Sequence, residues 1–68
     1  MDREDAQKIS RTLEENIKNL GKSLKPAEGA MTDGEYEVFK RQVGLAIGKI
    51  SYELLDPIYL QYPDLAPS

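Results

Sequence analysis

The chain contains no cysteine, no histidine and no tryptophan, and its aromatic residues are four tyrosines and one phenylalanine. Without cysteine it has no disulfide to stabilise a small fold. Without cysteine and histidine, a zinc or copper site would have to be built from carboxylates alone. No loop carries the closely spaced Asp and Asn residues around a Gly that a hard cation needs. No metal and no cofactor are therefore expected.

Missing histidine also removes the side chain best suited to proton transfer near neutral pH. Glu14 and Glu15 are neighbours and point in different directions on a helix. Glu53 and Asp56 share a face, but Asp56 precedes Pro57 and has a sufficient role as a cap. No serine or threonine has an obvious base beside it. The glycine-containing stretch Gly29–Gly34 lacks the lysine and the preceding strand of a phosphate loop. Two or three helices enclose little volume, so the expectation is a protein that is not an enzyme.

Long apolar runs are absent too. The window Val43–Leu60 is interrupted by Lys49, Glu53, Asp56 and Pro57, which makes it too polar to span a membrane. The residues Met1–Lys8 are charged and lack the apolar core of a secretory signal. A soluble, cytoplasmic protein with no membrane partner is the reading, and the lack of cysteine fits a reducing compartment. Net charge is −3, from 9 basic and 12 acidic residues. The basic residues are scattered among acidic ones rather than clustered, so nucleic acid is not an expected partner.

What is present is helical periodicity. Ala6, Ile9, Leu13, Ile17, Leu20 and Leu24 recur three or four residues apart and predict a first helix over about 3–24 with one apolar face. Asp2, Glu4 and Asp5 at its start, and Lys18, Lys22 and Lys25 near its end, suit the helix dipole. Pairs such as Glu4–Lys8, Glu14–Lys18 and Arg11–Glu15 stand at contact spacing on its wet side. Gly21, Pro26 and Gly29 then break the pattern, and residues 25–31 read as a loop that reverses the chain. Thr32-Asp33-Gly34-Glu35 is a capping box, with Met31 placed to staple onto Tyr36. A second helix follows over about 33–55.

That second helix has apolar residues on two sides. Tyr36, Phe39, Val43, Ile47, Ile50 and Leu54 form one stripe, which the first helix can cover. Val38, Leu45 and Tyr52, seven apart, form another on nearly the opposite side, with Gly44, Gly48, Ser51 and Leu55 between the two. A helix that is apolar nearly all round must be covered from more than one direction. Gly44 and Gly48 stand one turn apart, and such a pair permits close approach of another helix. The alternative filling is by a large neighbour such as Tyr59 or Tyr62.

Asp56-Pro57 starts either a short third helix or a kinked extension over 57–62. Residues 63–68 read as an extended tail, and Ile58, Leu60 and Leu65 offer a competing cover for the second stripe. The expected architecture is all-α: an antiparallel helical hairpin with a short third helix or kinked tail, one domain over 1–68. It is expected to pair as a homodimer into a four-helix bundle. Val38, Leu45, Gly48, Tyr52 and Leu55 are the expected self-association interface. Tyr59, Tyr62 and Leu65 form a possible patch for another protein, since tyrosines join large apolar area to a polar tip. The functional expectation is a non-catalytic protein-binding module, a small regulator, adaptor or inhibitor acting as a homodimer. The alternatives are a structural self-assembling subunit, or an immunity- or antitoxin-like inhibitor of a basic partner.

Overall fold

Each long helix starts at a side-chain cap. In the computed structural model, which describes residues 1–67, Asp2 accepts the Asp5 amide N–H at 2.8 Å and opens helix α1, Arg3–Lys22. At the other turn of the hairpin, Thr32 Oγ1 accepts the Glu35 N–H at 3.2 Å, and Glu35 Oε1 accepts the Thr32 N–H at 3.0 Å. This reciprocal box opens α3, Asp33–Lys49. Hydrogen bonding by Thr32, its backbone N–H first and then its side chain, holds the Glu35 carboxyl below its ordinary value of 4.5. A lowered folded value stabilises above pH 4.5 and is lost as pH falls through it. Thr32→Ala is expected to cost about 1 kcal/mol at neutral pH. Because the box is already broken in the variant, acid titration of stability followed by circular dichroism should narrow the gap between the two proteins below pH 4.5.

Between the long helices, the expected loop over 25–31 is instead a helix, α2, Leu24–Ala30. Pro26 explains both the break and the restart. It has no N–H to give the Lys22 carbonyl, so the ladder of α1 stops there. It stands in the first turn of α2, where that missing donor is harmless. Ser23 bridges the two helices, its Oγ bonded to the Leu20 carbonyl at 2.5 Å. Ala27 of α2 is buried where α2 meets α1 and α3 at this end of the hairpin.

After Lys49 the helix does not stop. Ile50–Leu55 is a π-helical segment, and α4, Asp56–Gln61, continues from it. The Asp56 N–H reaches back five residues to the Ser51 carbonyl. Pro57 is the physical reason. In an unbroken α-ladder its ring would clash with the Glu53 carbonyl, and its missing N–H would leave a gap. One extra residue in the preceding turns moves that carbonyl away. The kinked extension considered from sequence is thus an α–π–α helix of 29 residues, about 43 Å at 1.5 Å per residue. This nearly equals the 45 Å length of the molecule. The expected extended tail over 63–68 contains a 3-10 turn, Pro63–Leu65, followed by extended Ala66; residue 68 lies outside the described residues.

α1 runs antiparallel to this long helix, and the fold is an all-α helical hairpin. Its core is Ala6, Ala27, Val43, Leu55 and Ile58, with Ser10 the one buried polar residue among the described residues. Ser10 satisfies itself by donating to the Gln7 carbonyl at 3.1 Å. The inward seam of α1 runs Ala6, Ser10, Leu13, Ile17 and Leu20, alternating four and three residues, and Leu24 continues the spacing at the start of α2. Ile9, expected on that seam, lies one residue off it and is exposed. The helix uses a small polar residue where a purely apolar count selects the larger neighbour.

Candidate functional site

The long helix presents two faces, and the π segment sets the phase of both. On the inner face the covered positions are Val43, Ile47, Ile50, Leu55 and Ile58. The step from Ile50 to Leu55 is five residues, where an α-helix would step three or four. The extra residue rotates everything downstream by about 100°. Leu54, expected inside, is therefore exposed, and Leu55 takes its place.

The correction reaches the expected interface. α-Helical phase places Leu55 there, but it belongs to the core of its own chain. The other four residues lie differently. Val38, Leu45 and Tyr52 are 61%, 62% and 75% exposed. Gly48 is half-buried, yet beyond the adjoining backbone of its own helix nothing stands within 4 Å of where its Cβ would be, and Gly44 has the same open space. Neither Tyr59 nor Tyr62 fills the glycine notch.

Leu60, expected with Ile58 and Leu65 as a competing cover for the second stripe, is instead 84% exposed and covers nothing, while Ile58 is buried in the core. Leu60 lies eight residues after Tyr52, which on an α-helix would put it off the stripe. With one residue absorbed by the π segment, eight acts as seven. Leu60 thus continues the line Val38, Leu45, Tyr52 along the outer face. The signal in the sequence was Pro57: a proline in a continuing apolar pattern is a reason to test the pattern with one residue inserted.

The second expected patch, Tyr59, Tyr62 and Leu65, is drawn largely into the hairpin. All three side chains are half-buried. The Tyr59 hydroxyl donates to Glu14 Oε1 on α1, and the Tyr62 hydroxyl donates to the Met1 carbonyl at 2.7 Å. Arg3 clasps Asp64, its Nε donating to Oδ2 at 2.9 Å. Burial, then the Glu14 carboxylate, and lastly Asp56 push the Tyr59 phenol up to about 12. The Arg3 guanidinium holds the Asp64 carboxyl below the usual range. These residues tie the C-terminal segment to Met1, to the first residue of α1 and to its middle. Glu14, which sequence spacing offered to Lys18, is occupied by Tyr59 instead, while Glu4–Lys8 forms at 3.8 Å.

The surface carries shallow dents, among them one lined by Lys8, Ile9, Thr12 and Leu13 and another by Asp56, Tyr59 and Leu60. Among the described residues no three Asp or Glu side chains come together to hold a metal ion. None of their buried side-chain polar atoms lacks a hydrogen-bond partner. No helix among them is long and apolar enough to cross a membrane. No family model matches the chain, and no curated protein or solved structure matches it.

Proposed function

We propose that the chain is a non-catalytic protein-interaction module, a small regulator or adaptor that acts as a homodimer through the outer face of α3. The observation that supports this reading is the exposed line of Val38, Leu45 and Tyr52, apolar over two heptads and uncovered by the chain's own α1. Surface area agrees with it. The molecule exposes 5140 Å², where a compact chain of 7.7 kDa exposes about 4300 Å². The excess of roughly 800 Å² is what one partner contributes to an interface of standard size. The radius of gyration, 14.6 Å against about 11 Å for a compact chain of this length, shows its origin. A hairpin is a single layer, and a second layer makes it a bundle.

Light scattering across a concentration series tests this directly, with twice the chain mass expected. Leu45→Glu is expected to return the mass to that of one chain, because the carboxylate would be desolvated at the centre of the contact. As Leu45 is exposed in the single chain, the variant should keep its helical circular dichroism. If Leu45→Glu leaves mass and stability unchanged, α3 does not dimerise through this face.

A further inference from the structure

The outer face has a symmetry that determines how a second copy would meet it. Its apolar residues fall at 38, 45, 52 and 60, with the π segment keeping the last in line. These positions are nearly mirror-symmetric about Gly48 and Lys49. When two such helices are laid antiparallel about that point, Val38 meets Leu60 of the second copy, and Leu45 meets Tyr52. Arg41, exposed between Val38 and Leu45, comes beside Asp56 of the second copy on the same flank. The dent lined by Asp56, Tyr59 and Leu60 then stands where Val38 and Arg41 arrive. Gly48 lies beside the axis, with open space above it. A parallel arrangement instead pairs each residue of the line with its own copy and holds Arg41 and Asp56 at different levels along the axis, out of each other's reach. The antiparallel register has one unfavourable meeting, Lys49 with Lys49 near the axis, and each carries Glu53 one turn away.

Resting on the homodimer reading above, we infer that two copies pack α3 and α4 antiparallel about Gly48, in one isologous contact from Val38 to Leu60. The occupant is a second copy because one pattern supplies both halves of the contact, as a two-fold interface requires. The exposed surface in excess of a compact chain matches one side of a standard interface. The contact runs from Val38 to Leu60, about 33 Å at 1.5 Å per residue, so Leu60 at its rim acts together with Leu45 near its centre.

The chain's lack of cysteine makes the register directly testable. The double variant Val38→Cys/Leu60→Cys is expected to form a covalent dimer on mild oxidation, and Val38→Cys alone is not. Leu60→Glu, fully helical by circular dichroism because Leu60 is so exposed, is expected to weaken dimerisation at least tenfold in sedimentation equilibrium. Cross-linking by Val38→Cys alone would mean a parallel pair and would overturn the register. A wild-type dimer that Leu45→Glu disrupts and Leu60→Glu leaves intact would also overturn it, since the contact then ends before α4. Wild-type chain that stays monomeric at every concentration removes the homodimer reading itself, and the register with it.

Discussion

Leu55→Ala is expected to destabilise the fold by about 2–5 kcal/mol, the range for truncating a buried leucine. Leu54→Ala, at the adjacent position, is expected to cost no more than about 1 kcal/mol. The two residues have the same chemistry, and in a straight α-helix Leu54 would be the inward one. The π segment reverses their roles: Leu55 is 4% exposed and Leu54 is 49% exposed. A small hairpin has little stability to lose, so Leu55→Ala is expected to be substantially unfolded at 37 °C. Urea unfolding followed by circular dichroism, at one fixed protein concentration so that self-association does not confound the comparison, measures both. Equal losses at the two positions, or the larger loss at Leu54, would mean that the helix runs in α-register through Ile50–Leu55.

This pair also marks where the sequence stops being legible. The capping box at Thr32, the inward residues from Tyr36 to Ile50, and the outer line through Tyr52 are all carried by period and local chemistry, which act within a few residues. They were readable for that reason. A π turn has no residue signature of its own; it results from a proline acting on a carbonyl four residues back while packing on α1 holds the helix together. Beyond Ile50 the phase therefore depends on a contest that periodicity does not contain. Leu54 and Leu55 exchange places, and Leu60, expected as a cover for the outer face, joins that face instead. Ser10 escaped for a different reason, since a buried serine that bonds its own helix looks polar in the sequence and behaves as a small residue in the seam. The helix α2 was hidden behind Pro26, which reads as a breaker unless it falls in a first turn. The tyrosines near the C-terminus were visible as a cluster, but their partners, Glu14 and the Met1 carbonyl, are 45 and 61 residues away in sequence.

If the π segment exists to reconcile Pro57 with two in-phase faces, removing both the proline and the extra residue should leave the fold intact. Deleting Glu53 together with Pro57→Ala gives a long helix whose inward residues recur at three and four throughout. Its outer residues then recur at strict sevens. Glu53 is exposed, and its loss removes no packed side chain. Proline in a helix interior is worth about 3 kcal/mol against alanine, and the π turn absorbs only part of that cost. The double change is therefore expected to unfold at or above the temperature of the native chain. Deleting Glu15, equally exposed but in the regular α-ladder of α1, is the matched control. There no spare residue takes up the loss, so every position of the Ala6–Leu20 seam on one side of the deletion rotates by about 100° relative to the other. Loss of the cooperative transition is the expected result. Thermal melts of the two deletions side by side decide the matter. If both unfold the chain, the π segment is required for the packing of α1 on the long helix, beyond accommodating a proline; if the Glu53 variant alone survives, the two apolar faces are what the helix is built to keep.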